Sequence, residues 1–290
     1  MTPASTSGAT VPRLTLNTGA SIPQLGLGVF QVPPEDTRGV VTAGLSAGYR
    51  SIDTAARYQN EAGVGEAIAE SSVPRDEVFV TTKLANDDQG YDQAHVAFND
   101  SLEELGLDAV DLYLIHWPAP KRGEYLNCWR AFEEFHRAGR ARAIGVSNFL
   151  VPHLERLLEN AHTVPAVNQI ELHPYLQQQE LRTFHAEHGI LTEAWSPLAQ
   201  GAVLNDPVIV GIAERLGRSP AQVVLRWHIQ LGTVVIPKSV TPARQAENID
   251  VFDFELDEQA MAQIAGLDRG ERTGFHPDEF NGFPEDFQKR

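Results

Sequence analysis

Asp111-Leu112-Tyr113-Leu114-Ile115-His116-Trp117-Pro118 is an apolar run with no polar alternation after its first residue, and it stops on an ionisable ring. Such a run suits a strand covered on both faces, the kind found in parallel sheets. Trp117-Pro118 ends it, because proline cannot donate to a continuing ladder. The same plan recurs in both directions along the chain. Asp53 ends the short run around Ile52, Lys83 closes Val78-Phe79-Val80-Thr81-Thr82, and Ser147-Asn148 follow Ala143-Ile144-Gly145-Val146. Gln169 ends Val167-Asn168, Trp195 follows Ile190-Leu191-Thr192-Glu193-Ala194, and Lys238 follows Thr233-Val234-Val235-Ile236-Pro237. Taken singly, Asp53 reads as a cap or turn residue, His116 as a satisfied buried histidine and Lys83 as a solvated charge. Their succession reads differently, because a parallel barrel gathers its strand ends at one mouth, where polar side chains mark function.

Amphipathic stretches alternate with these runs. Helical periodicity is clearest over 36–47, 91–105, 126–138, 151–159, 178–188 and 220–230. Buried strands alternating with surface helices predict a single (β/α)8 TIM barrel. Gly48, Gly106, Gly139 and Gly189 stand where helices should end, since a left-handed closing residue costs least at glycine. Arg13 to Ile22 reads as an N-terminal β-hairpin turning at Asn17-Thr18-Gly19, suited to plug the barrel floor. At 290 residues the length admits two domains, but barrels near this size are single units. The expected division is a flexible tail over 1–12 and one barrel domain over 13–290. Gly63-Val64-Gly65 does not open a Rossmann unit: no strand leads directly into it and the third glycine is absent. It reads as the start of a helix.

The chain holds 39 acidic residues against 23 Lys and Arg, a formal net charge of -16. No basic run tracks a phosphate backbone, which argues against nucleic acid as a partner. The same charge opposes a phosphorylated ligand at long range, so any phosphate site needs locally clustered cations. A lone cysteine, Cys128, excludes an internal disulfide and cysteine-rich zinc sites. No apolar stretch reaches membrane-spanning length, the histidines lack metal-ligand spacing, and the start lacks a charged segment leading into an apolar one. The expectation is a cytoplasmic, metal-free monomer that acts on a small molecule.

Leu25-Gly26-Leu27-Gly28-Val29-Phe30, the block from Asp53 to Glu61, Asp111 to Pro118, Ile144-Gly145-Val146-Ser147-Asn148, Val167 to Pro174, Trp195-Ser196-Pro197-Leu198 and Ile236-Pro237-Lys238-Ser239 together resemble the aldo-keto reductases. Among these the likeness is to the bacterial 2,5-diketo-gluconate reductase type. It runs from near the start of the chain to near its end. It implies NADPH-dependent reduction of aldehydes or ketones to alcohols, keto-sugar acids and bulky ketones included, without a metal. The matched positions imply four catalytic residues, Asp53, Tyr58, Lys83 and His116. Tyr58 would protonate the developing alkoxide, reluctantly at its ordinary pKa of about 10. A lysine cation about 4 Å away interacts by roughly 4 kcal/mol at an effective dielectric of about 20, so Lys83 is expected to bring that pKa down toward neutrality. Asp53 would keep the buried lysine charged, and His116 would donate to the carbonyl oxygen.

On the cofactor side the resemblance implies that Ser147, Asn148 and Gln169 hold the nicotinamide carboxamide. The ring would stack on Trp195, an indole where tyrosine is commoner, with Ser196 and Leu198 lining the same cofactor. Lys238, Ser239 and Arg244 imply a grip on the 2′-phosphate, which favours NADPH because arginine binds phosphate through a planar fork. Asn248, with Glu247, would reach the adenine. Alone, that lysine and arginine read as an ordinary solvated helix start. The substrate pocket is expected from Phe30, Ala85 and Trp117, and it departs from the family pattern: Ala85 stands where tryptophan is usual, and Ser51 where histidine is common. The C-terminal tail, with Phe275, Phe280, Phe283 and Phe287, is expected as a loop over the mouth, either closing on substrate or packing on the wall. Two rival readings stay open. One is a cofactor-binding regulatory subunit of the same fold; the other is a barrel hydrolase built on carboxylates among Asp53, Glu61, Glu171 and Glu193.

Overall fold

The computed structural model describes residues 11–284 and 286. The expected tail over 1–10 and Phe287 lie outside the described residues. Val11 is buried and the carbonyl of Pro12 accepts from the Gln24 amide at 2.8 Å, so these two residues of the expected tail belong to the packed body.

The hairpin pairs β1 (Arg13–Thr15) with β2 (Ser21–Pro23) antiparallel and turns through Gly19 at φ 82°. Among the described residues one parallel sheet of eight strands follows. Its members are β3 (Leu27–Gly28), β4 (Ser51–Asp53), β5 (Phe79–Leu84), β6 (Val110–Ile115), β7 (Ala141–Ser147), β8 (Val167–Glu171), β9 (Leu191–Trp195) and β10 (Val234–Val235). Each strand pairs with the next in chain order. Parallel bridges from Leu25 to Val235 and from Gly28 to Lys238 close the ring, so that among the described residues the eight-stranded sheet has no free edge.

Around it lie α1 (Pro34–Ala47), α2 (Glu61–Glu70), α3 (Tyr91–Leu105), α4 (Tyr125–Arg137), α5 (Val151–Leu158), α6 (Gln179–Glu187), α7 (Pro207–Leu216), α8 (Pro220–Gln230), α9 (Pro242–Ile249) and α10 (Glu258–Ala265). Helix α3 and α8 begin and end where periodicity put them. Helix α1 starts at Pro34 instead of Asp36, because proline at the first helical position forfeits only an N–H that has no partner there. The pair Gly63 and Gly65 lies inside α2. Glycine at 65 serves packing, since a Cβ there would collide with the Leu105 carbonyl at the end of α3.

Phe79, Leu112, Leu114, Ala143, Val167 and Val234 form one interior cluster with Leu16 and Ile22 of the hairpin, which therefore closes the floor. Their strand neighbours Val80, Tyr113, Ile144 and Val235 belong to the larger core under the helices. Every second strand residue thus faces the barrel axis. Counting up from the floor leads to Asp53 on β4, Lys83 on β5, Ser147 on β7, Gln169 and Glu171 on β8, and Glu193 and Trp195 on β9. Gly145 makes room at mid-height: a Cβ there would lie 2.6 Å from the Val167 carbonyl oxygen and 2.8 Å from Leu114 Cδ2.

Candidate active site

Lys83, fully buried, donates from Nζ to Asp53 Oδ1 at 2.6 Å and to the Thr54 carbonyl at 2.8 Å. Tyr58 arrives on the short 3₁₀ turn Ala56–Tyr58 that follows β4. The next residue but one, Asn60, ties this segment down: Nδ2 donates to the Val29 and Val32 carbonyls, and Oδ1 accepts from Thr54 Oγ1 at 2.7 Å. The Tyr58 ring centroid lies 5.1 Å from Lys83 Nζ, 5.7 Å from the His116 ring and 5.0 Å from the Phe30 ring. The expected four residues therefore meet at the carboxyl end of the barrel.

Their protonation follows from burial and mutual charge. Burial opposes the Lys83 ammonium, but Asp53, Tyr58 and Glu193 outweigh it and the pKa is raised. Lys83 is a cation. For Tyr58, withdrawal from water raises the pKa, Lys83 opposes through its charge and a hydrogen bond, and Asp53 adds to the rise; the balance is upward. The expectation that Lys83 draws the phenol down toward neutrality is thus corrected, because desolvation exceeds the lysine's pull. Tyr58 keeps its proton. Burial, followed by the charges of Lys83 and Arg57, holds His116 well below the usual histidine range, so its imidazole is neutral near pH 7.

Ser147 Oγ donates to the Gln169 carbonyl at 2.8 Å. Asn148, left-handed at φ 66°, donates from Nδ2 to the His116 carbonyl at 2.9 Å and to Ser147 Oγ at 3.0 Å. Its Oδ1 accepts from Trp195 Nε1 at 2.9 Å, a bond that fixes the indole plane and that tyrosine, with no ring N–H, would not make. Gln169 Nε2 donates to Asp53 Oδ2 at 2.7 Å and to Glu193 Oε2 at 3.0 Å. Ser196, at φ 47°, and half-buried Leu198 begin the loop beyond β9. At the rim Lys238 and Arg244 are exposed, while Ser239 and Asn248 are buried. Gln245 Nε2 donates to the Ser239 and Val40 carbonyls, both at 3.0 Å, and so holds this segment on α1.

The tail packs over the mouth. Phe275 stacks on Phe280 at 4.3 Å, and Phe280 meets the Trp117 ring edge-on at 4.7 Å. Arg122 covers Phe283 at 4.6 Å and donates to the Asn281 carbonyl. These aromatics therefore build a wall with Trp117, while Phe30, beside Tyr58, is 54% exposed. Ala85 is buried, and its neighbour Asn86 packs against Gly282 of the tail.

Two residues that the sequence reading placed only in the rival hydrolase stand out. Glu171, fully buried at the end of β8, accepts from the Thr273 amide at 2.5 Å, Thr273 Oγ1 at 2.6 Å, the Gly274 amide at 3.1 Å and His173 Nε2 at 3.1 Å. Burial raises its pKa, but bonds from His173 and Thr273 outweigh this and hold it low. Gly274 is thereby set against the Trp195 ring, with no room for a Cβ. Glu193 is the second, bonded through Gln169 as above. With Glu61 accepting from Thr82 Oγ1 at 2.5 Å and Ser101 Oγ at 3.3 Å, the carboxylates of the hydrolase reading each serve a structural partner. Among the described residues no group of three or more His, Cys, Asp or Glu is placed to hold a metal ion.

Residues 23–269 match the Aldo/keto reductase family. An aldo-keto reductase of Mycolicibacterium smegmatis is 59% identical over 270 residues, covering 93% of this chain and 98% of the relative. The methylglyoxal reductase DkgA of Escherichia coli is 50% identical over 269 residues, 92% of this chain and 97% of the relative. The solved structure of the Gox0644 D53A mutant in complex with NADPH is similar at TM-score 0.91 and 48% identity, over 94% of this chain and 99% of that one. A closed barrel, a buried Asp-Lys pair beside a tyrosine and a histidine at its mouth, and likeness over almost the whole length lead to one conclusion: the chain belongs to the aldo/keto reductase family.

Proposed function

We propose that this aldo-keto reductase uses NADPH to reduce small aldehydes and ketones to alcohols, with Tyr58 as the acid. Dicarbonyl compounds of the methylglyoxal kind are the first class to try, given the E. coli relative. The observation that carries the reading is the protonated Tyr58 set between cationic Lys83 and neutral His116. The residues present fit the cofactor. Ser147, Asn148 and Gln169 offer hydroxyl and amide groups in one patch beside the Trp195 indole, and exposed Lys238 and Arg244 have no bond to a described residue that would compete with a phosphate.

Bound NADPH supplies the hydride. His116 donates a hydrogen bond to the carbonyl oxygen, which gains negative charge as it is reduced. Tyr58 passes its proton to that oxygen, and the Lys83 cation stabilises the tyrosinate left behind. Asp53 holds Lys83 in place and keeps it charged. Trp117, Phe275 and Phe280 present an apolar wall to the rest of the substrate. A cofactor-binding subunit without activity would have no use for a tyrosine poised between these two groups. In Tyr58→Phe, turnover measured by NADPH oxidation with methylglyoxal is expected to fall by about 100-fold or more, the contribution of a general acid, while NADPH affinity stays close to wild type. Near-normal turnover would remove Tyr58 from the mechanism.

A further inference from the structure

Glu193 is a carboxyl group inside the barrel that the mechanism leaves without a task. It is 1% exposed and points inward from β9, paired in register with Gln169 of β8 on one side and Val234 of β10 on the other. Between it and Asp53 lies the Gln169 amide, whose nitrogen donates to Asp53 Oδ2 at 2.7 Å and to Glu193 Oε2 at 3.0 Å. A primary amide nitrogen carries two hydrogens. Both are committed here, one to each acid. With Asp53 alone one hydrogen would be left over and the amide plane would be free to turn about the remaining bond. Two acceptors on one nitrogen remove that freedom.

We infer that Glu193 is a positioning residue for the cofactor: with Asp53 it holds the Gln169 amide so that only its carbonyl oxygen is offered to a nicotinamide carboxamide, from whose NH₂ it accepts. The inference rests on the placement of the nicotinamide at Ser147, Asn148 and Gln169 proposed above. The ionisable groups facing Glu193 are Asp53 from β4 and Lys83 from β5, while Gln169 and Val234 face it uncharged. Burial, with the Asp53 charge next, pushes its carboxyl up to about 8. It is therefore a neutral acid near pH 7, which accepts from Gln169 and leaves the Lys83 cation balanced by the single Asp53 anion. Among the described residues its other oxygen, Oε1, has no hydrogen-bond partner, and Gln169 is the one polar attachment of this side chain.

The test compares affinity for NADP⁺ with affinity for its 3-acetylpyridine analogue, whose methyl ketone has no NH₂ to donate, by quenching of protein fluorescence. Wild type is expected to favour NADP⁺ by roughly three- to tenfold, the worth of one neutral hydrogen bond. Glu193→Gln retains an acceptor oxygen and keeps the preference. Glu193→Ala and the bulkier Glu193→Leu lose it, and Leu fills the site should Ala fail to fold. Gln169→Ala tests the nicotinamide placement by itself: equal wild-type affinities, or an unchanged preference in Gln169→Ala, would refute that placement and the inference with it. If Gln169→Ala loses the preference while a folded Glu193→Leu or Glu193→Ala retains it, the placement stands and the role of Glu193 is overturned. Loss of the preference in folded Glu193→Gln overturns it equally.

Discussion

The two ends of the proposed cofactor site hold their charges in opposite ways. At the inner end Asp53, Lys83, Gln169 and Glu193 are all buried and bonded to one another. At the outer end the side chains of Lys238 and Arg244 stand in water, bonded to no described residue. Desolvation makes every inner interaction strong and every inner vacancy costly. Outer charges cost the fold almost nothing and act only when an anion arrives. Chemistry and stability are therefore joined inside, whereas affinity and cofactor choice are separable outside.

The sharpest way to break this contrast is Lys83→Met, which leaves Asp53 buried without its cation. Stability measured in urea should fall by about 3–5 kcal/mol, the cost of breaking a buried pair. A loss below about 1 kcal/mol, the value of an exposed pair, would mean that water reaches the inner cluster and that the contrast is false.

A pH series tests the same cluster more gently. The folded-state pKa of Glu193 is raised from the model-compound value of 4.5 to about 8, so folded protein binds this proton more tightly than unfolded chain. Its contribution to stability is complete below about 4.5 and is lost as pH rises toward 8, at no more than about 1.4 kcal/mol per pH unit. Glu193→Gln has no proton to lose. Its stability relative to wild type should climb between pH 5 and 8 and level off above. A difference that stays flat with pH would show that Glu193 is already ionised in the folded state.

The smallest effect is expected outside. Arg244→Ala should weaken NADPH by about ten- to a hundredfold, as for a charge-assisted bond, with NADH affinity and the urea midpoint unchanged. Added salt should narrow the gap between wild type and variant. Equal losses for both cofactors would place the 2′-phosphate elsewhere.

Much of this was legible in the residues. Short runs, each followed by one of the residues singled out above, marked β5, β6, β8 and β9. Periodicity located α3 and α8 to the residue, since both are bounded by local signals: Gly106 after one, Ser219-Pro220 before the other. Helix α7 and α10 had not been singled out, although Pro207 and Asp257 open them. The pKa of Tyr58 was expected to move the wrong way because a charge-charge estimate carries no measure of depth. Glu171 and Glu193 were visible only as loose carboxylates, since Glu193 meets Gln169 from 24 residues away and Glu171 meets Thr273 from 102 residues away.

What the sequence by itself determined is the barrel and the chemistry at its strand ends. Strand parity, helix-closing glycines and polar terminations are local properties, readable within a dozen residues. Tertiary structure alone decided which atoms meet. Gln169 reaches Asp53 across 116 residues and Thr273 reaches Glu171 across 102, pairings set by barrel register and by the path of the tail. Depth, too, is a property of the closed barrel, and it decides that Tyr58 stays protonated, His116 neutral and Glu193 an acid. Hydrogen-bond partners and desolvation both depend on what the rest of the chain brings alongside, and no local pattern records that.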